Sequence, residues 1–344
     1  MTANRRVVVV TGGSAGVGRA TVEQFARAGW NVGVIARGEA RLDATVRAVK
    51  ALGRKARAVA ADVADAAGVE AAADEIERDL GPIDVWVNNA MATAFAPVAK
   101  LTAEEFLRGT QVTYLGQVHG TMAALRRMRT RNRGTIVNVG SALSYRAIPL
   151  QSMYCGAKFA VRGFTDALRS ELMHDGVNVH LTMVQLPALN TPQFDWALNR
   201  MGRRAQPVPP VFQPEVAARA ILFAATHRRR EVWVGLPTFK AIIGGALAPG
   251  KLDRYLSETG YRDQLADGSP QAEPEGNLFR PAPDHVAAHG RFNGTARAFS
   301  VEYWLARNGV ALGALLGLSW LGLHFLAGHK PVPSPRDGAQ LGPN

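Results

Sequence analysis

Four consecutive valines, Val7–Val10, run directly into Thr11-Gly12-Gly13-Ser14-Ala15-Gly16-Val17-Gly18. Few folds accommodate such a passage. An uninterrupted β-branched run suits a strand covered on both faces, as in a parallel sheet. Glycines allow a tight turn and a close backbone approach to a ligand. A helical pattern follows through Ala28 and stops at Gly29. Strand, glycine-rich turn and helix together form the context in which free N–H groups and a helix dipole cradle a pyrophosphate. The passage therefore predicts a dinucleotide site at the start of an α/β fold.

The rest of the chain keeps the same alternation. Strands are predicted at Arg6–Val10, Asn31–Ala36, Lys55–Ala60, Ile83–Asn88, Gly134–Val139, Val177–Val184 and Glu231–Gly235. Helical patterns lie between them at Val17–Ala28, Glu39–Leu52, Ala66–Leu80, Ala103–Met128, Met153–His174 and Pro214–His227. The fold class expected is α/β, a doubly wound parallel Rossmann sheet of about seven strands. Short helices at Lys240–Ala248 and Lys251–Glu258 follow. Residues 1–261 are read as a catalytic nucleotide-binding domain, 262–300 as a flexible linker rich in Pro, Gly, Asp and Asn, 301–330 as an apolar helix and 331–344 as a disordered tail.

A second constellation carries chemistry. Tyr154 and Lys158 are four residues apart, with Ser141 thirteen residues before Tyr154. On a helix, i and i+4 share a face. A cation beside a phenol favours the phenolate, so a lowered Tyr154 pKa is expected. Such a pair can exchange protons near neutrality while a serine hydroxyl holds a carbonyl or alcohol oxygen.

In the order Thr-Gly-x3-Gly-x-Gly, Asn88-Asn89-Ala90, Ser141 and Tyr154-x3-Lys158, the chain resembles the short-chain dehydrogenase/reductase family over roughly residues 5–237. The resemblance implies Tyr154 as general acid/base, Lys158 on the nicotinamide ribose, and Ser141 on the substrate oxygen. It implies cofactor contacts from Thr11, Gly12, Ser14, Gly16, Val17, Gly18, Asp62, Val63, Asn89, Ala90, Tyr154, Lys158, Pro187 and Thr191, with Asn88 in the segment behind the fourth strand. Where the second strand ends, the text is Ala36-Arg37-Gly38, without the carboxylate that would bind a ribose 2′-hydroxyl. Arg37 can pair with a 2′-phosphate, so NADP(H) is expected over NAD(H). Four positions depart from the family pattern. Thr113 stands where an Asn supports a proton path to the lysine, Met91 and Ala188 stand where Gly is usual, and Gly140 stands where a second Ser is usual.

Substrate choice in this family is set after the sixth strand, here Thr191–Gln213. Phe194, Trp196, Leu198, Met201 and the prolines of Pro207–Pro210 suggest a lid over an apolar pocket. A lipophilic alcohol or carbonyl compound is the expected substrate. The leading reading is an NADP(H)-dependent oxidoreductase acting on CH–OH or carbonyl groups. The alternative is a low-activity NADP(H)-binding scaffold or redox sensor on the same fold.

Composition bounds the remaining questions. Forty Lys and Arg against 28 Asp and Glu give a net charge of +12. The arginine-rich runs Arg126–Arg133 and His227–Arg230 are read as solvated helix ends, with contact to anionic lipid headgroups as the alternative. Neither is interleaved with aromatics, so no nucleic-acid partner is expected. The single cysteine, Cys155, excludes an intramolecular disulfide and is read as a packing residue. The opening residues lack a signal-peptide pattern, so the catalytic domain is expected in the cytoplasm. Val310–Gly328 is free of formal charge over nineteen residues, long enough for a bilayer core of about 30 Å at about 1.5 Å per residue. It is read as a C-terminal membrane anchor, with a buried oligomerisation helix as the alternative. A homo-oligomer is expected, and no metal site.

Overall fold

β1 (Val7–Thr11) is the valine run plus Thr11, and all five of its residues are buried. The computed structural model describes residues 6–267, 276–282, 288–305 and 307–308. From β1 the chain turns through its glycines into α1 (Gly16–Arg27) and returns as the fully buried β2 (Asn31–Ala36). The alternation continues with α2 (Glu39–Ala51), β3 (Ala56–Ala60), α3 (Ala66–Leu80) and β4 (Ile83–Asn88). After the two-residue β5 (Ala94–Phe95), α4 (Ala103–Thr110) passes through a π-type turn at Gln111–Leu115 into α5 (Gly116–Thr130). β6 (Gly134–Val139), α6 (Ser152–His174) and β7 (Val179–Gln185) follow. The short α7 (Gln193–Trp196) and β8 (Leu198–Asn199) precede α8 (Pro214–Thr226), β9 (Glu231–Trp233), α9 (Leu236–Leu247) and α10 (Pro249–Thr259).

The main sheet has seven strands in the order β3-β2-β1-β4-β6-β7-β9, all paired in parallel. These are the seven strands expected from the alternation. Strand order reverses between β1 and β4, the position at which open parallel sheets place a ligand site outside the carboxyl ends of the strands. One apolar cluster covers one set of side chains of the sheet with residues of α1 and α8, including Phe25, Val216 and Ile221. The other cluster includes Ile76 of α3, Trp86 of β4 and Met128 of α5. Fully burying one such side chain contributes about 1.5–3 kcal/mol.

A buried polar lattice fixes the centre of the sheet to two helices. Asn88 and Asn138 face each other across β4 and β6. Asn88 Nδ2 donates to Thr121 Oγ1 of α5 and to Asn138 Oδ1, each at 2.9 Å, and Asn138 Nδ2 donates to Thr165 Oγ1 of α6 at 2.9 Å. Trp86 Nε1 donates to Asn88 Oδ1 at 2.8 Å. Satisfied groups of this kind specify one docking of α6 on the sheet.

Several expectations change. The helix read as Ala103–Met128 is interrupted by the π-type turn. The parallel pair β5–β8 and the helix α7 were not foreseen. No helix among the described residues is long and apolar enough to cross a membrane, which overturns the membrane and transmembrane reading. Residues 310–328, on which that reading stood, lie outside the described residues, as does the tail 331–344. The chain divides into units Met1–Tyr303 and Trp304–Asn344. In the second unit the described residues are Trp304, Leu305, Arg307 and Asn308, all helical.

Candidate active site

The glycine turn is shaped by what cannot fit there. A Cβ on Gly12 would lie 2.8 Å from Ala90 Cα, and Gly12 has φ +65°. A Cβ on Gly18 would collide with the Gly12 carbonyl oxygen. Thr11 supports this turn from beneath. Its Oγ1 accepts from the Asn89 N–H at 3.0 Å and the Ala90 N–H at 3.1 Å, while Asn89 Nδ2 donates to Thr11 O at 3.0 Å. The loops after β1 and β4 are therefore held together at the strand-order reversal.

From this turn a cavity of about 440 Å³ extends past Ser141 and Tyr154 to residues of α10. Every site residue expected from the sequence lines it except Thr11 and Thr113. Thr11 is buried in the role just described. Asn88 is also absent from the lining, because its side chain belongs to the lattice between the strands.

At the β2 end of the cavity, guanidinium groups gather. Arg37 stands 3.9 Å from Asp62, which also pairs with Arg108. Burial opposes ionisation of Asp62, yet the Ala64 N–H, Arg108 and Arg37 hold its carboxyl below the usual range. Arg41, in the first turn of α2, lines the same space, with its guanidinium 5.3 Å from the Trp196 ring centroid. Arg37 also binds backbone of the chain's later part. Its Nη2 donates to Asn277 O at 2.6 Å, and its Nη1 to Leu278 O and Phe279 O at 3.3 Å. Leu278 is buried in the sheet's second apolar cluster, which anchors this strap.

The Ser-Tyr-Lys group sits where β6 meets α6. Ser141 opens a 3-10 turn, its Oγ accepting from the Leu143 N–H at 3.1 Å. Tyr154 and Lys158 occupy the first two turns of α6, and Lys158 Nζ lies 5.6 Å from the Tyr154 ring centroid. The same nitrogen donates to Val139 O at 2.6 Å. Burial drives the Lys158 pKa down to about 7. Burial also pushes the Tyr154 phenol above its ordinary range, against a hydrogen bond with Ser141 that lowers it. The lowered phenol expected from the sequence is thus not what the protein's own groups produce. Desolvation outweighs the hydrogen bond with Ser141.

The departures from the family pattern have structural counterparts. Thr113 is buried in the π-type turn, where its hydroxyl accepts from the Ala92 N–H at 2.9 Å and donates to Ala92 O at 2.8 Å. It thus ties the turn to the loop after β4 and makes no bond to its own helix. Gly140 is matched to Gln185, because a Cβ there would collide with Gln185 Oε1. Met91 and Ala188 line the cavity.

The loop Pro187–Thr191 is braced from two sides. Phe212 N donates to Ala188 O at 3.0 Å and Asn190 N donates to Phe212 O at 2.8 Å. The buried Asn190 side chain donates to Asn293 Oδ1 at 2.8 Å and accepts from the Phe292 N–H at 3.0 Å. The described parts of 262–300 thus reach both the Arg37 end and the Thr191 loop. Arg41, Gln151, Gln206 and residues of and after α10 were missed as site residues. For Arg41 the signal was available, since it lies in the first turn of a helix predicted two residues after Arg37. The others come together only through tertiary packing.

A parallel seven-stranded sheet with a cavity at its reversal point, lined by a glycine turn and a Ser-Tyr-Lys group, defines the dinucleotide-type class of α/β proteins. A family model described as short chain dehydrogenase matches residues 6–196, and the chain belongs to that family. It is 32% identical over 276 residues to the uncharacterized oxidoreductase YxnA of Bacillus subtilis, covering 80% of this chain and 78% of that protein. It is 34% identical over 178 residues to the L-2,3-butanediol dehydrogenase of Corynebacterium glutamicum, covering 51% of this chain and 69% of that one. Among solved structures it is similar in fold to an alcohol dehydrogenase of Thermococcus sibiricus complexed with 5-hydroxy-NADP. The TM-score is 0.57 at 24% identity, covering 67% of this chain and 96% of the other.

Proposed function

We propose that the protein is an NADP(H)-dependent oxidoreductase that interconverts a lipophilic alcohol with its ketone or aldehyde, with Tyr154 as general acid/base. The observation that carries this reading is that Ser141, Tyr154 and Lys158 share one cavity with the glycine turn. The residues fit a phosphorylated dinucleotide. Gly12 and Gly18 permit the tight turn that runs into the start of α1, whose free N–H groups suit a pyrophosphate. β2 ends without a carboxylate, and Arg37 and Arg41 supply guanidinium groups suited to a 2′-phosphate. The Thermococcus structure with its NADP derivative supports the same choice.

When bound, the nicotinamide supplies or accepts the hydride. In the reductive direction Ser141 Oγ holds the substrate oxygen by donating a hydrogen bond, and the Tyr154 hydroxyl gives that oxygen its proton. A phenol kept protonated by burial is an acid ready for this step. Lys158, with a pKa near 7, can return a proton toward Tyr154. Leu143, Ile148, Phe194, Val208 and Leu256 line the substrate part of the cavity and favour an apolar body on the substrate.

The test is NADPH consumption against carbonyl compounds graded in hydrophobicity. Turnover should rise with apolar length and fall by at least ~10²-fold in Tyr154→Phe. Arg37→Ala should weaken NADPH binding by about tenfold and leave NADH binding nearly unchanged. NADPH binding with no turnover across the panel would favour the scaffold alternative, and equal loss for both nucleotides would remove Arg37 as the 2′-phosphate partner.

A further inference from the structure

Beside the residues just after α10, amide and carboxylate side chains line the cavity. Gln264 is fully buried, and its Nε2 donates to Pro149 O at 2.9 Å and Gly260 O at 2.7 Å. Two carbonyls on that nitrogen settle the orientation of the amide. Its Oε1 then faces Gln151, which donates through Nε2 at 2.7 Å. Gln151 Oε1 is consequently turned the other way. Among the described residues it has no partner, and it is not closed off from solvent. Gln206 repeats the pattern. Its Nε2 serves Asp263 O at 3.4 Å and Leu265 O at 3.3 Å, and its Oε1 has no partner among the described residues. Asp263 adds a carboxylate, one oxygen of which accepts from Arg262 Nε at 3.2 Å.

Gln151, Gln206 and Asp263 all line the cavity that holds Ser141 and Tyr154. Gln151 precedes the first residue of α6, three residues before Tyr154, and its side chain makes no cap bond to the helix. Three side chains that carry acceptor oxygens therefore line a cavity whose lining also includes the apolar Phe194, Val208 and Leu256. A wholly apolar ligand would strip water from them and return nothing.

We propose that the substrate carries, besides its reacting carbon, at least one further hydroxyl that donates to this acceptor wall, so that the protein acts on hydroxy-carbonyl compounds or diols with an apolar body. This rests on the oxidoreductase reading above and narrows its substrate class. The wall rejects an analogue lacking the hydroxyl because its oxygens would be left without donors.

The experiment is calorimetric binding to the NADP⁺-saturated full chain carrying Tyr154→Phe, in which the ketone cannot be reduced and oxidation of a probe hydroxyl is suppressed. The probes are straight-chain methyl ketones and the series in which one hydroxyl is moved stepwise along the same chain. At least one hydroxyketone should bind about tenfold tighter than its parent ketone. That advantage should fall below about twofold in Gln151→Leu and in Gln206→Leu, each checked for fold by its NADP⁺ affinity. The second variant leaves the Gln151–Gln264 pair intact. If no hydroxyketone binds tighter than its parent, or if the advantage survives in both variants, the inference is overturned. Preferential binding without turnover of any member by the wild-type chain with NADPH would sink the oxidoreductase reading alone. Turnover without preference would sink the hydroxyl inference alone.

Discussion

Gly140 shows how a single residue can depart from a family pattern without loss. The space a side chain would need at that position is taken by Gln185, whose Nε2 donates to Glu231 Oε1 at 2.8 Å. Gly140→Ser should therefore cost about 1–3 kcal/mol in chemical denaturation, as overpacking does, and Gln185→Ala should recover part of that loss in the double variant. Simple additivity of the two would show that they do not compete for one space. Lys158 makes a second residue-scale prediction. Its pKa is 10.5 in an unfolded chain and about 7 in the fold. Between those values the unfolded chain binds the extra proton. Stability of the nucleotide-free protein should rise with pH across that window, with a slope of at most about 1.4 kcal/mol per pH unit. Tyr154 acts in the opposite sense above pH 10.0, because the unfolded phenol ionises before the buried one. Lys158→Met should flatten the stability curve between the two lysine values. A wild-type curve already flat there would contradict the burial of a titrating amine.

At the scale of elements, the π-type turn between α4 and α5 is the point where local pattern and structure part. The sequence shows continuous helix periodicity through Gln111–Leu115, and nothing local marks the widened turn. Its tie is Thr113, whose bonds to Ala92 come from a loop twenty-one residues earlier. Thr113→Val keeps shape but leaves a buried N–H and C=O unpaired, and should cost about 2 kcal/mol or more. Thr113→Ser keeps the hydroxyl and should stay within about 1 kcal/mol of wild type. Equal losses in unfolding measurements would assign the cost to the missing methyl group. The strand alternation, by contrast, was legible because burial on both faces leaves its mark within each segment. The valine run of β1 and the glycines after it could be read for the same reason. Arg37 and Asp62 were legible by position in the βα unit, whereas the strap at Asn277–Phe279 was not, since a backbone carbonyl accepts from Arg37 whatever its side chain is.

The whole molecule explains why the basic composition is a poor guide to partners. Most of the Arg126–Arg133 run is neutralised internally. Arg126 and Arg127 pair with Glu70, Arg127 also with Asp74 and Glu77, Arg129 with Asp175 and Arg131 with Glu77. The acidic partners lie mainly on α3, a helix that composition alone does not place beside α5. The same holds for the cavity, whose polar wall combines residues 151, 206 and 263 from separate parts of the chain. Only the fold juxtaposes them, so the motifs could suggest a reaction class without suggesting this polar wall.

Hydride transfer onto a carbonyl carbon in this cavity is tested most directly with NADPH deuterated at the transferring carbon, a hydroxyketone as substrate and mass spectrometry of the product. The product alcohol should carry the deuterium at its new C–H bond, and no labelled product should form with Tyr154→Phe. Product that forms without the label, or that forms equally well in the variant, would contradict hydride transfer assisted by Tyr154.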